Sequence, residues 1–318
     1  MKKLYLINPR GFCAGVVRAI QTVEKALKIW GAPIYVKHQI VHNKHVVESL
    51  KSKGAIFIED LNDVPENSRV IYSAHGIPPQ VREEAKKRNL IDIDATCGLV
   101  TKIHSAVKRY SKKGYKIILI GKKKHVEIIG ISQEALEDTF IVEKKEDVEK
   151  LNFQHDQKLF YITQTTLSID DVVNITDALH KKFPNIETLP SSSICYATTN
   201  RQLALKEVCK KIDLVLVIGD PSSSNSNRLK EVASKQNKLA YLINSKDEID
   251  KKWLENIQNI AITAGASTPE HIVQDCVNRL KEFTTFEIEN VVYIQENVVF
   301  ELPSEVRFAD VKKSAVTL

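Results

Sequence analysis

Short runs of β-branched and aliphatic residues alternate along nearly the whole chain with stretches whose apolar positions recur every three or four residues. That is the pattern of parallel strands covered by amphipathic helices, and it predicts an α/β fold. One unit occurs three times in the order strand, cysteine, helix, strand, polar loop, helix, strand, polar loop, helix. A supersecondary unit repeated in this way predicts three similar small parallel-sheet lobes. The first unit opens on a strand over residues 4–7, reaches Cys13 in a turn flanked by Gly11 and Gly15, and continues into a helix with Val16, Ile20, Val23 and Leu27 on one face. Its first polar loop, Val41-His42-Asn43-Lys44, follows a strand over 34–36. Its second, Ser73-Ala74-His75-Gly76, follows a strand over 70–72.

The second unit runs a strand over 91–94 into Ala95-Thr96-Cys97-Gly98. Its loops are Lys124-His125-Val126-Glu127 and Thr163-Gln164-Thr165-Thr166. The third runs a strand over 186–189 into Ser193-Ile194-Cys195, with a helix expected from about Gln202. Its loops are the run 222–227, Ser-Ser-Ser-Asn-Ser-Asn, and Thr263-Ala264-Gly265-Ala266-Ser267-Thr268. Cysteine and first loop keep their distance: 29 positions from Cys13 to His42, 28 from Cys97 to His125 and 30 from Cys195 to Asn225. The expected division is therefore residues 1–96, 97–194 and 195–282 as three lobes, with 283–318 as an extension docking on the body.

Loops that leave the carboxyl ends of parallel strands open on one edge of a sheet, where ligands bind. Three units around a pseudo-threefold axis bring Cys13, Cys97 and Cys195 to one point. They ring it with His42, His75, His125, Glu127, Thr165, Ser223, Ser224, Asn225 and Ser267. Three thiolates from separate units suit a cubane iron-sulfur cluster, which they hold by three irons while the fourth stays open. Zinc is the competitor, although structural zinc sites draw on CxxC pairs and the chain has none. The three cysteines stand beside helix starts, where the dipole favours thiolate. Cys209, among Leu205, Val208 and Ile212, and Cys276, among Ile272, Val273 and Leu280, read as core. His38, His45, His104, His155, His180 and His271 read as surface or core residues. For Glu127 to share a cavity with His125, two positions away, the segment has to be extended.

Composition narrows the function classes. Of 318 residues, 43% are hydrophobic and 27% charged, and no stretch approaches the roughly 20 apolar residues of a membrane span. The apolar run after Lys2 and Lys3 stops at Asn8, too short for a signal peptide. Five cysteines without paired spacing point to thiols or metal ligands in a reducing, cytoplasmic setting. The net charge of +6 is interspersed and aromatics are only 7%, so the basic, aromatic-interleaved stripe of a nucleic-acid binder is missing. Neither GxGxxG nor a Walker motif occurs, which leaves no signal for a nucleotide cofactor. With a basic surface and no nicotinamide or flavin fingerprint, an acidic small redox protein of ferredoxin or flavodoxin type is the expected electron donor. Two other readings stay open on the residues alone: a cluster-containing regulator that binds nucleic acid, and a zinc-dependent diphosphate hydrolase.

The segments Gly11-Phe12-Cys13-Ala14-Gly15-Val16, Val41-His42-Asn43, Ser73-Ala74-His75-Gly76, Asp94-Ala95-Thr96-Cys97, Thr163-Gln164-Thr165-Thr166, Cys195-Tyr196-Ala197-Thr198, Ser223-Ser224-Asn225-Ser226-Asn227, Gly265-Ala266-Ser267-Thr268-Pro269 and Asn297-Val298-Val299-Phe300 closely resemble the 4-hydroxy-3-methylbut-2-enyl diphosphate reductase (LytB) family. They arrive in the family's order between residues 2 and about 308. The resemblance implies a three-lobed α/β fold around one 4Fe-4S cluster, and two-electron removal of an allylic hydroxyl to give isopentenyl and dimethylallyl diphosphate, the last step of the methylerythritol phosphate pathway. It implies cluster ligands at Cys13, Cys97 and Cys195. It also implies diphosphate binding at His42, His75, Ser223, Ser224, Asn225 and Ser267, with His125 lining the site. Glu127 falls at the proton donor, and Thr165, next to Thr166, at the hydroxyl that relays to the substrate alcohol. One departure is local: the family's Gly-His-Pro-Glu is Lys124-His125-Val126-Glu127 here.

Overall fold

The computed structural model describes residues 1–191, 193–236 and 238–309; the last part of the expected extension, from 310 onward, lies outside them. The chain begins with β1 (Lys2–Asn8) and α1 (Ala14–Trp30). There follow β2 (Ile34–Lys37), α2 (Lys44–Ser52), β3 (Ala55–Ile58), β4 (Arg69–Tyr72), α3 (Pro79–Lys87) and β5 (Ile91–Asp94). The middle of the chain forms α4 (Gly98–Ser111), β6 (Lys116–Ile120), α5 (Val126–Ser132), β7 (Thr139–Val142), α6 (Lys145–Glu149), β8 (Leu159–Thr163) and α7 (Ile169–Lys182). The last part forms α8 (Tyr196–Cys209), β9 (Leu214–Ile218), α9 (Ser224–Lys235), β10 (Leu239–Ile243), β11 (Asn259–Ala264), α10 (Glu270–Phe283), β12 (Phe286–Val292) and α11 (Ser304–Arg307).

The fold is α/β with three small sheets, ordered β3-β2-β4-β5, β7-β6-β8 and β10-β9-β11-β1-β12. Every pairing is parallel. Helices cover the sheets because the central strands β6 and β9 are apolar and buried along nearly their whole length.

Two details differ from the pattern reading. β1, read with the first lobe, is hydrogen bonded between β11 and β12 in the third sheet. There it occupies the place that β5 takes in the first sheet. The segment 186–189, read as a strand, makes one parallel bridge, Glu187 with Phe160 of β8. Each cysteine thus follows the fourth position of a sheet, and β1 closes the ring by supplying that position to the last lobe. Part of the extension is itself a strand, β12, at the sheet edge beside β1.

Equivalent hydrogen bonds mark the repeat. The amides of Cys13, Cys97 and Cys195 donate to the carbonyls of Ala266, Ala74 and Thr165 at 3.1, 3.0 and 3.0 Å. Each of those carbonyls belongs to the second polar loop of a unit, so the backbone itself ties each cysteine turn to a neighbouring loop.

Candidate active site

Each of the three cysteines is the N-cap of a helix, of α1, α4 and α8 respectively. The third helix starts at Tyr196, six residues before the expected position. Its early polar residues are buried and bonded: Arg201 donates to the Gly11 and Ala197 carbonyls and pairs with Glu296, and Gln202 donates to the Leu167 carbonyl. All three thiols are unpaired and open into one pocket. Cys209 and Cys276 are buried in the apolar clusters expected of them.

The helix starts do not leave the Cys97 and Cys195 thiols acidic. Burial pushes the Cys97 thiol up to about 11, with Cys13 nearby adding to the rise and the Leu99 and Val100 amides opposing it. Burial pushes Cys195 up to about 12, helped by Cys13 and opposed by Thr198. Desolvation thus outweighs the helix dipole, and a bound cation is what turns such sulfurs into thiolates. The residues fit a metal-sulfur group. The sulfurs of Cys13 and Cys97 both lie within 4 Å of the point where a side chain on Gly15 would stand, so the absence of one there leaves the space between them free. Among the described residues no three His, Cys, Asp or Glu side chains are gathered around a single metal-ion position.

The same pocket is lined by His42, His75, His125, Glu127, Thr165, Ser223, Ser224, Asn225 and Ser267, so every residue expected at the site reaches it. His42 and His75 stack with centroids 4.1 Å apart, and His125 meets them edge-on at 5.5 and 6.2 Å. Burial holds all three below the usual histidine range. His42 is opposed in this by Asp220, His75 is driven further by its two histidine neighbours, and His125 falls to about 4. The free site therefore holds neutral imidazoles. Ser223 is the N-cap of α9, accepting from the Ser226 amide at 3.3 Å. Both amide atoms of Asn225, 3% exposed, lack a protein partner. Ser267 donates to the His42 carbonyl at 3.0 Å. A helix N-terminus with a cap serine, an unpartnered buried amide and adjacent imidazoles is an anion site in waiting.

Glu127 is 2% exposed. Its carboxylate accepts from the Thr165 amide at 2.7 Å and from the Thr165 hydroxyl at 2.8 Å. Burial raises its pKa, while those two bonds and His104 oppose the rise. The segment is not extended. His125 caps α5, its Nδ1 accepting from the Glu127 amide at 3.2 Å, and Glu127 lies in the first turn. Cap and first-turn residue flank the same helix end, which brings both to the pocket without strand geometry. The Thr166 hydroxyl turns away from Glu127 and donates to Ser224 Oγ at 2.9 Å.

Four lining or supporting residues escaped the sequence reading. Tyr196 accepts from the Ala14 amide at 3.1 Å, and Thr198 contacts the Cys195 sulfur. Phe300, inside a motif of the extension, lines the pocket beside Gly98. Asp220 sits behind His42, held below the usual carboxylate range: burial works against this, but the Ser222 hydroxyl and amide and the Lys44 amide outweigh it. A carboxylate just after a buried strand and before a serine-rich helix start was the available signal for Asp220. His104, read as a plain core or surface residue, is mostly buried and paired with Glu134 at 2.8 Å.

These features define a three-lobed parallel α/β protein with a thiol-lined, anion-ready pocket where the lobes meet. A family model described as LytB protein matches residues 4–281. A 4-hydroxy-3-methylbut-2-enyl diphosphate reductase of Protochlamydia amoebophila is 65% identical over 304 residues, 96% of this chain and 97% of the relative. The protein of the same name in Chlamydia caviae is 64% identical over 96% of this chain and its own full length. The solved structure of the E-1-hydroxy-2-methyl-but-2-enyl-4-diphosphate reductase of Plasmodium falciparum superposes with a TM-score of 0.96 at 53% identity, covering 98% of this chain and 99% of that one. The chain belongs to the LytB family.

Proposed function

We propose that the chain is a 4-hydroxy-3-methylbut-2-enyl diphosphate reductase. In the reaction two electrons and two protons enter, the allylic C–O bond breaks, a C–H bond forms, and isopentenyl and dimethylallyl diphosphate leave with water. This is the last step of the methylerythritol phosphate route to isoprenoids. The observation that carries the reading is the convergence of three unpaired helix-capping cysteines, the Glu127–Thr165 pair and the α9 N-terminus on one pocket. The relatives bearing that name over nearly their full length support it.

Cys13, Cys97 and Cys195 are the residues that would hold one 4Fe-4S cluster with an open iron; such a group supplies single electrons and a Lewis acid next to the alcohol. The remaining work falls to side chains. Ser223, Ser224 and Asn225 at the start of α9, with Ser267, His42 and His75, take the diphosphate, and the unpartnered Asn225 amide gains its missing bonds there. A neutral imidazole offers one N–H and, beside a polyanion, takes up a proton to offer two. Glu127, made easier to protonate by burial, passes its proton through the Thr165 hydroxyl to the leaving oxygen. His125, whose Nε2 is buried without a partner, faces the same space. A reducing cytoplasmic setting and a ferredoxin- or flavodoxin-type donor belong to the same proposal, supported by five free cysteines and a net charge of +6. Among the described residues no helix is long and apolar enough to cross a membrane.

The test is turnover: anaerobically reconstituted protein with a reduced artificial donor converts the hydroxylated diphosphate to both five-carbon products. Release of inorganic phosphate or diphosphate instead would move the reading to a hydrolase.

A further inference from the structure

The three cysteine-capped helices agree atom for atom at their third residue except at one place. The N3 position holds Val16 after Cys13, Val100 after Cys97 and Thr198 after Cys195. All three line the pocket, and valine and threonine have the same branched shape. Only threonine carries a hydroxyl; its oxygen accepts from the Cys195 thiol at 3.2 Å, and the sulfur in turn accepts from the Thr198 amide at 3.4 Å. Neither Cys13 nor Cys97 makes a side-chain cap hydrogen bond. Thr198 is 0% exposed, so its hydroxyl has no water to turn to and the sulfur is its partner.

We propose that Thr198 is a positioning residue of the metal site that singles out the Cys195 corner: with the sulfur a thiolate on iron, the hydroxyl donates to it and raises the reduction potential of the cluster. The inference rests on the cluster reading above. The physical ground is that a hydrogen bond to a ligand sulfur stabilises the added negative charge of the reduced state more than that of the oxidised one. The threefold repeat supplies its own control, since Val16 and Val100 show what the position does without a hydroxyl. At this position the side chains of the three corners differ by one oxygen atom.

The experiment is an EPR-monitored redox titration of the reconstituted full chain, with iron content measured alongside, for the wild type, Thr198→Val, Thr198→Ser and Val100→Thr. The potential of Thr198→Val shifts to more negative values, Thr198→Ser stays with the wild type, and Val100→Thr shifts upward by giving the Cys97 sulfur the same donor. A Thr198→Val protein with full iron content and an unchanged potential overturns the proposal. Should Thr198→Val take up no iron, Val100→Thr decides: an upward shift supports the proposal and an unmoved potential overturns it. A wild-type chain that forms no cluster removes the functional reading itself, an outcome distinct from any difference among the variants.

Discussion

Replacing Glu127 by glutamine isolates the proton from everything else the side chain does. In the wild type Oε1 accepts from the Thr165 amide and Oε2 from the Thr165 hydroxyl. In Glu127→Gln the amide oxygen keeps the first bond, while the NH2 donates to the threonine oxygen and so reverses the second. No atom is lost from a side chain only 2% exposed, and a desolvated carboxylate disappears. The stability change is therefore within about 1 kcal/mol. Thr165→Val is the contrasting variant: it strips Oε2 of its donor and leaves a buried acceptor unpaired, at a cost of about 1–3 kcal/mol. If Glu127 gives the proton that lets hydroxide leave as water, the glutamine variant loses roughly a hundredfold to ten-thousandfold in turnover. Its cluster content and substrate affinity stay near wild type. The assay is urea unfolding, iron content, substrate binding by calorimetry and single-turnover rate on one preparation. Near-normal turnover with an intact cluster refutes the reasoning and moves the proton to His125, whose Nε2 is buried without a partner.

Three further outcomes follow from the geometry. The His125 pKa falls to about 4 in the folded chain against the ordinary 6.5, so the unfolded chain binds more protons between those values and stability drops as pH falls through that window. For cluster-free protein the His125 contribution is about 2 kcal/mol between pH 7 and pH 5, read as the difference in urea stability between wild type and His125→Asn; equal losses in the two proteins count against a neutral buried imidazole. Gly15→Ala improves helix propensity, yet the new Cβ stands 2.6 Å from the Cys97 sulfur and 3.9 Å from that of Cys13. Reconstituted Gly15→Ala should bind much less iron while the cluster-free chain remains folded, and normal iron content would show that the space beside Gly15 is not used. Turnover driven by an acidic redox protein slows as ionic strength rises, because a chain of charge +6 attracts it; a rate indifferent to salt removes steering.

Periodicity and spacing made much of this molecule legible, for physical reasons that can be named. The three cysteine turns stand out because the strand before, the helix after and the loop about 30 residues on are all local patterns, and the backbone repeats them with the same cysteine-to-loop hydrogen bonds. Cys209 and Cys276 separate from the three pocket cysteines because their helical faces are apolar. What stayed hidden is non-local. β1 joins the third sheet by pairing with β11 more than 250 residues away, and nothing in residues 2–8 encodes that partner. The start of α8 lies earlier than the pattern suggests because Thr198 and Arg201 look like surface residues, whereas Thr198 is buried against the Cys195 sulfur of its own helix cap and Arg201 against Gly11 and Glu296 from elsewhere in the chain. His125 and Glu127 share a cavity through a helix start because the imidazole serves as the cap, a role more often filled by serine or aspartate. The burial that outweighs the helix dipole at Cys97 and Cys195 depends on the assembled pocket and leaves no trace in the spacing.

The central claim is that Cys13, Cys97 and Cys195 together hold one iron-sulfur cluster, and the most direct measurement is iron content with the visible spectrum of the five single Cys→Ser variants, purified anaerobically. Cys13→Ser, Cys97→Ser and Cys195→Ser are expected to lose stable iron and the band at about 400 nm that bleaches with dithionite. Cys209→Ser and Cys276→Ser, altered only within apolar clusters, are expected to keep both. A Cys97→Ser protein that retains the full cluster while Cys209→Ser loses it would contradict the account at its root.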